Sequence, residues 1–314
     1  MEFGLPIGRH PGAGRIAGRR GAGMNSPQIR RIRAECARAR RLGRAFAQAS
    51  GIVTIFADLL SEQWAYRELL VRMTARDLLL RYKQTVMGFG WAIFMPLVNT
   101  AIFSVIFTRV ATIDVGTAYP VYAFCGLVAW NFFASALRFS VTSLTSNPSL
   151  VTKVYFPREI FPFSAVLVSI VDLAVALGVL AVVMAYYGVL APHASLLLLP
   201  VVVTVLVLFT AAAALFLSMA NLFYRDVKYL FEIVIAVWMF ATSVVYPIGR
   251  VGGRLGALLA LNPMTHVVDA FRDVLIAGQA PGAAFWLTAV MSIVLLGAAW
   301  AAFHRAEFTF AENL

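Results

Sequence analysis

Few residues in this sequence have the types and spacing that catalysis or nucleotide binding requires. A phosphate-binding P-loop needs a Gly-Lys pair, but the three lysines follow Tyr82, Thr152 and Val227. The four histidines are scattered without an i, i+4 pair that could bind zinc, and no Gly-x-Ser-x-Gly nucleophile elbow occurs. The sequence therefore predicts no nucleotide hydrolysis, no metal site and no bound cofactor in this chain.

Two carboxylates lie inside long apolar runs, where charged groups are rare. Asp172 is about midway along one run, and Glu232 is at the start of another. Ionisable groups in such segments usually face the interior of a helix bundle or a water-filled cavity. Two interpretations stay open, a role in transport and a structural role in which a hydroxyl or amide of a neighbouring helix satisfies each carboxylate.

Aromatic residues are dense in the apolar run that begins near Tyr119. An interfacial belt explains Tyr119 and Tyr122, but not Trp130, Phe132 and Phe133, which lie deep in the run. Rings that line a pore could stack on the faces of sugars, and helix packing is the alternative for any single ring.

The elements that must position these residues are membrane helices. The chain of 314 residues is 61% hydrophobic and 13% charged, with a mean hydropathy of +0.82, which is far from a water-soluble domain. A span needs about 20 apolar residues as helix. We therefore predict an all-α integral membrane protein with six transmembrane helices, at about 89–110, 119–139, 160–188, 195–222, 230–247 and 283–303.

The basic residues set the predicted orientation. In this topology 22 of the 26 Lys and Arg residues lie on one side of the membrane, and the other side has only Arg109, Arg250, Arg254 and Arg272. Because positive residues favour the cytoplasmic side, both termini are predicted to be cytoplasmic, in a multi-pass protein of the plasma membrane. The net charge of +11 is thus explained by membrane topology and does not require a nucleic-acid partner.

The N-terminal region differs from the rest of the chain. Residues 1–24 are rich in Gly and Arg without periodicity, which is typical of disorder, and Met24 could be the true start. We predict a basic cytoplasmic extension at 1–55, disordered or on the membrane surface, followed by a six-helix membrane domain at 56–314. Cys36 and Cys125 fall in different environments, so no disulfide is implied.

Residues 64–84, “WAYRELLVRMTARDLLLRYKQ”, predict an amphipathic helix in the cytoplasmic interface before the first span. Glu68 with Arg72 and Asp77 with Arg81 have the i, i+4 spacing of helix ion pairs. The opposite face is apolar, with Tyr66, Leu69, Leu70, Met73 and Leu80. The helix could be an anchor alone or could have a functional role.

The stretch 147–162, “NPSLVTKVYFPREIFP”, predicts a short helix in the cytoplasmic loop between the second and third spans. Pro148 suits a first helical turn and Pro157 stops the helix. A helix this short is marginal alone, so it needs a surface on which to pack. Lipid headgroups and a soluble subunit that docks from the cytoplasm are the two candidate partners.

Four stretches resemble one family in order. They are similar to the transmembrane subunits of ABC transporters that export polysaccharides and polyol phosphates, including O-antigen, capsule and teichoic acid. The stretches are “RELLVRMTARDLLLRYKQTVMGFGWAIFMPL”, “SNPSLVTKVYFPREIFPFSAVLVSIVDL”, “NLFYRDVKYL” and “YPI…LNPMTHVVDAFRDVL”. The resemblance runs from about residue 60 to the C-terminus and does not cover residues 1–55.

The resemblance implies an assembly and a mechanism. Two copies of the permease would pair with two separate ATPase subunits, which would bind ATP and Mg and hydrolyse the ATP. The substrate would be a glycan on a polyprenyl pyrophosphate carrier. The short helix would couple ATPase movement to channel opening, and “NPMTHVVDAFR” would form a re-entrant hairpin between the last two spans.

The resemblance also implies roles for three groups of residues. The ATPase-coupling group is Leu150, Val151, Lys153, Val154, Tyr155, Phe156, Arg158 and Glu159. The entrance for the lipid pyrophosphate would use Arg72, Arg76, Arg81 and Lys83, because a cationic cluster suits a pyrophosphate. The candidate glycan channel is Trp130, Asn131, Phe132 and Phe133.

Two other functions compete with the glycan-export permease. One is a permease of related topology for a drug or lipid, which would have a narrower and less aromatic pore. The other is an integral membrane enzyme that acts on a lipid carrier. An enzyme needs a convergent acid, base or metal constellation, and Asp226 and Glu159 are too isolated in sequence to suggest one.

Overall fold

Helices make up all the regular structure in the residues that the computed structural model describes, which are 61–83, 87–88, 90–106, 116–153, 156–247 and 252–312. These residues contain no strand. The prediction of an all-α protein is therefore confirmed for this part of the chain. Residues 1–55, predicted as a basic extension, lie outside it.

Residues 61–65 are helical, and ten α-helices follow them in the described residues. They are α1 Arg67–Tyr82, α2 Gly90–Val105, α3 Tyr119–Ser143, α4 Pro148–Lys153, α5 Ile160–Tyr186, α6 Leu199–Phe223, α7 Val227–Phe240, α8 Gly253–Leu259, α9 Pro263–Arg272 and α10 Ala283–Ala306. A 3-10 turn, Ala194–Leu198, leads into α6, a π-helical turn, Asp273–Ala277, follows α9, and a 3-10 turn, Glu307–Glu312, follows α10.

Four helical segments are long and apolar enough to cross a membrane. They are α3, α5, α10 and the continuous segment Ala194–Phe223 that contains α6. Each coincides with one of the six predicted runs. The chain is therefore a multi-pass helical membrane protein with four candidate spans among its described residues.

The other two predicted runs form shorter helices. α2 is an apolar helix of 16 residues, and the end of its run, at 107–110, lies outside the described residues. The fifth run forms α7, which has only 14 residues because the chain leaves the helix at Ala241. There the side-chain amide of Asn262 donates to the carbonyl of Ala241 and to the hydroxyl of Thr242, at 2.9 and 2.8 Å.

The core of the bundle is α3. Eighteen of its 25 residues are buried, among them Phe124, Leu127 and Phe133. It packs against α5, α6, α2 and α9, and more lightly against α7. Because polar backbone groups are satisfied within the helix, a largely apolar sequence suits this central position.

Two short helices, α8 and α9, occupy the segment between α7 and α10, where a hairpin is expected. Asn262 caps α9 by accepting from the backbone N–H of Met264, and Trp238 of α7 donates to the same Asn262 oxygen at 3.0 Å. Pro263 follows in the first turn, where proline is favoured. The “NPMTH” sequence thus starts α9 and fastens it to the end of α7.

Candidate functional site

A cavity of about 410 Å³ lies among α1, α2, α3 and α5. Its polar lining includes Arg81, Asn99, Asn131, Arg138 and Asp172. Its aromatic lining is Tyr82, Trp91, Phe132 and Phe139. Cations, amides and rings thus surround one space, and we refer to it below as the central cavity.

Arg81 is held on one wall of the central cavity by two contacts. Its guanidinium pairs with the carboxylate of Asp172 from α5, and it stacks on the ring of Phe139 from α3, with the guanidinium carbon 3.8 Å from the ring centroid. Both charged side chains are mostly buried, with 15% of Arg81 and 23% of Asp172 exposed. The prediction that a neighbouring hydroxyl or amide satisfies Asp172 is therefore incomplete, because an arginine pairs with it.

Tyr82 is the second partner of Asp172. Its hydroxyl donates a hydrogen bond to the other carboxylate oxygen. Burial, and next the Asp172 hydrogen bond, raise the pKa of Tyr82 to about 12, so the phenol keeps its proton at neutral pH. The C-terminal end of α1 is thus tied to α5 by two adjacent side chains.

Arg138 supplies a second cation to the central cavity. It pairs with Glu232 from α7 at 2.9 Å, and both side chains are about half exposed. The structure places Arg138 within α3, five residues before the helix ends. The two arginines of the cavity are therefore both paired with the two carboxylates that lie in apolar runs.

The four predicted entrance cations do not form one cluster. Arg72 pairs with Glu68 at 2.7 Å on an exposed face, as predicted, and Lys83 is exposed. Only Arg81 lines the central cavity.

The predicted pair between Asp77 and Arg81 does not form. Asp77 instead accepts from Arg76 at 2.7 Å and from the hydroxyl of Ser164 on α5 at 3.0 Å. Arg81 turns to Asp172 because α1 packs along α5, which brings a carboxylate from another helix within reach. Arg76 also approaches the Asn147 side chain, at 3.4 Å, just before α4.

The four predicted channel residues divide between two sides of α3. Asn131 and Phe132 line the central cavity. Phe133 is fully buried, stacked on Phe209 at 5.7 Å and edge-on to Trp238 at 5.3 Å, and Trp130 packs beside it. Four consecutive residues cover more than one face of a helix, so the prediction is corrected to Asn131 and Phe132 for this cavity.

Sequence reasoning included Asn131 but missed Ser135, Arg138, Trp91 and Asn99 of the central cavity. Asn131, Ser135 and Arg138 line it together, at the i, i+4, i+7 spacing of one helix stripe. That polar stripe within an apolar run is visible in the sequence and could have indicated the site. Trp91 and Asn99 of α2 had no such signal.

A second cavity adjoins the first. It has a volume of about 290 Å³ and shares Arg81 and Phe139 with the central cavity. It extends along α1 and α3 to Ser146 and Asn147, at the start of α4. The stacked pair of Arg81 and Phe139 therefore lies between the central cavity and the residues that precede the short helix.

The short helix α4 packs inward on its own chain. Val151 is fully buried in a cluster with Phe156, Phe303 and Phe310, and Leu150 is partly buried beside it. A side chain buried in this way cannot form an outward docking stripe, which corrects the role predicted for Val151. The side chains of Lys153, Val154 and Tyr155 lie outside what the structure describes.

The other coupling candidates contact the C-terminal part of the chain. The backbone N–H of Arg158 donates to the Glu307 carboxylate at 3.1 Å, and the Arg158 guanidinium donates to the Glu307 backbone carbonyl. Glu159 is fully buried and accepts from the Trp300 indole at 3.1 Å. Burial, and next the charge of Glu159, raise the pKa of Glu307 above its usual value. Arg158 and Glu159 thus join the start of α5 to α10 and the turn after it.

Comparison with known proteins identifies the family. The sequence profile described as “ABC-2 type transporter” matches residues 68–276, about two thirds of the chain. The chain belongs to the ABC-2 type transporter family. The matched residues run from α1 to the π-helical turn and so include all the residues that line the central cavity.

Relatives of this ABC-2 type transporter chain are similar over nearly their full length. An O-antigen export system permease protein RfbA from Myxococcus xanthus is 29% identical over 259 residues, which cover 82% of this chain and 99% of that protein. One of the same name from Klebsiella pneumoniae is 26% identical over 247 residues, covering 79% of this chain and 95% of that protein.

Proposed function

We propose that this chain is the permease subunit of an ATP-driven exporter that moves a polysaccharide similar to O-antigen, linked to polyprenyl pyrophosphate, from the cytoplasmic side across the bacterial plasma membrane. The observation that carries the proposal is the alignment with O-antigen export permeases over 95–99% of their own length. A match of that extent includes the whole transport fold rather than one motif.

The chemistry of the central cavity supports a glycan with an anionic headgroup. Asn99, Asn131 and Ser135 can hydrogen-bond to hydroxyl groups, and Trp91 and Phe132 present rings on which a sugar face could stack. Arg81 and Arg138 suit a phosphate. A cavity for a drug or an ordinary lipid would need fewer amide and hydroxyl groups.

The proposed assembly contains two copies of this permease and two ATPase subunits, which bind ATP and Mg. In this assembly α2 and α7 complete six spans, α1 lies at the cytoplasmic entrance, α8 and α9 form a re-entrant hairpin, and both termini are cytoplasmic. The six-to-four excess of Lys and Arg in the short loops and C-terminus of this topology supports that orientation. The short helix α4 would transmit ATPase movement through Pro157 to α5.

The proposal is tested by reconstitution. The purified chain alone should show no ATP hydrolysis, and hydrolysis should appear only with the ATPase subunit. Proteoliposomes that contain both subunits should move a lipid-linked glycan to the opposite leaflet, measured by its accessibility to an added glycosidase. ATP hydrolysis by the permease alone would contradict the proposed role. Glycan movement in the absence of ATP hydrolysis would contradict it as well.

A further inference from the structure

The two cavity arginines are paired with carboxylates from different helices. Arg81 of α1 pairs with Asp172 of α5, and Arg138 of α3 pairs with Glu232 of α7. Each guanidinium that an anionic ligand would need is therefore already paired with a carboxylate. The positive charges of Arg81 and Arg138 are therefore balanced before any ligand binds.

The two ion pairs differ in burial and hence in strength. The Arg81–Asp172 pair is mostly removed from solvent, whereas the Arg138–Glu232 pair is about half exposed. Exposed pairs contribute little because water screens them, while buried pairs are strong and are costly to leave broken. A ligand must therefore bring at least as much negative charge as the carboxylates that it displaces.

A diphosphate group meets that requirement. It has two or more negative charges and several acceptor oxygens, and guanidinium groups bind such oxygens in a bidentate manner. Arg81 and Arg138 line the same cavity of about 410 Å³ and so present two guanidinium groups to one ligand. Phe139 stacks on Arg81 independently of Asp172, so the guanidinium has a second support when the carboxylate is displaced.

We propose that the central cavity binds the diphosphate of the lipid carrier by counter-ion exchange, in which the ligand takes over Arg81 and Arg138 and displaces Asp172 and Glu232. This inference rests on the proposed function and names the residues of its recognition step. Binding breaks one ion pair between α1 and α5 and one between α3 and α7, so the ligand itself weakens contacts between helices around the cavity. The exposed Arg72–Glu68 pair has no part in this exchange.

The test measures binding to the purified permease in lipid nanodiscs, with farnesyl pyrophosphate as the probe. Asp172→Asn and Glu232→Gln each remove a competing charge and should tighten binding about tenfold, which corresponds to about 1.4 kcal/mol. Arg81→Gln and Arg138→Gln should weaken it by at least as much. Glu68→Gln, which removes the carboxylate partner of Arg72 on the exposed face of α1, is the matched control and should leave affinity unchanged.

The outcomes separate this proposal from the function on which it rests. If the wild-type protein binds the probe but neither carboxamide variant tightens binding, counter-ion exchange is wrong and the export function stands. If the wild-type protein does not bind the probe, the lipid pyrophosphate substrate is wrong as well. Inorganic pyrophosphate should bind more weakly than the prenyl compound, and equal or tighter binding would show that the site takes free pyrophosphate rather than a lipid. Should Asp172→Asn fail to fold, Glu232→Gln alone decides, because that side chain is half exposed.

Discussion

At the scale of single residues, Gly126 allows the closest approach between α3 and the chain after α7. A Cβ at this position would lie 2.4 Å from the carbonyl oxygen of Val244 and 2.6 Å from a guanidinium nitrogen of Arg272. Arg272 donates to that same carbonyl at 2.6 Å and stacks on Tyr122, 3.7 Å from its ring centroid. Neither the Val244 carbonyl nor the Arg272 guanidinium can move without losing these contacts.

Gly126→Ala should therefore destabilise the protein by about 1–3 kcal/mol, as overpacking in a filled core does. Gly178→Ala on α5 is the matched control, because a Cβ there meets nothing within 4 Å, and alanine favours helix. The thermal midpoint in detergent, followed by size-exclusion chromatography, should fall for the first variant and stay level or rise for the second. Equal midpoints would show that Gly126 is not a close-packing site.

Trp300 satisfies a buried carboxylate through its indole N–H. Trp300→Phe should remove this donor from Glu159 and cost about 1–3 kcal/mol, because Glu159 is fully buried. Trp286→Phe, at a half-exposed position on the same helix, is the control and should have little effect. Thermal midpoints in detergent would compare the two variants, and equal losses would argue against a specific role for the hydrogen bond.

At the scale of elements, α4 shows what sequence patterns can and cannot determine. The start of the helix at Pro148 was predicted correctly, because proline at its first turn is a local signal. The buried face of the helix was not predicted, because Val151 packs against Phe303 and Phe310, about 150 residues further along the chain. A short helix has no strong preference of its own, so distant residues decide its orientation.

This orientation separates two substitutions in α4 and the residues after it. Val151→Asp should destabilise the permease itself, because it buries a charge in an apolar cluster. Changing Val154 and Tyr155 to Asp should instead leave the permease folded and prevent the ATPase from co-purifying with it. A full yield of ATPase with the double variant would contradict the proposed coupling role of this segment.

The ion pair between Arg81 of α1 and Asp172 of α5 illustrates the same limit. Asp172 could be recognised from sequence as an unusual residue, because a carboxylate in an apolar run is rare. The partner of Asp172 could not be recognised from sequence. Arg81 lies four residues after Asp77, so an Asp77–Arg81 pair within the same helix was the simpler prediction. Only the packing of α1 along α5 decides between the two carboxylates.

At the scale of the whole molecule, composition and apolar runs predicted a helical membrane protein with six spans, and four of the predicted runs coincide with candidate spans in the described residues. They overestimated the length of the fifth helix. Hydropathy does not indicate that Asn262 hydrogen-bonds to the backbone at the point where α7 ends. The central cavity was also beyond prediction as a unit. Its lining comes from four helices, and no sequence spacing relates them.

The proposed orientation can be tested with an impermeant maleimide on spheroplasts. In a chain with Cys36→Ser and Cys125→Ala, a cysteine at Gln279→Cys should react from outside, because this exposed residue lies outside the proposed hairpin, between the π-helical turn and α10. A cysteine at Tyr224→Cys, exposed between α6 and α7, should react only after permeabilisation. The reverse pattern would place both termini outside the cytoplasm.

The pairing of Arg81 with Asp172 also has a consequence for biosynthesis. α1 is synthesised before α5, so the cation is already present when the carboxylate enters the bilayer. An unpaired Asp near the centre of a membrane helix costs about 2.5–3.5 kcal/mol on insertion scales. The order of the two helices along the chain therefore gives the later and more difficult segment a partner from the moment it leaves the translocon.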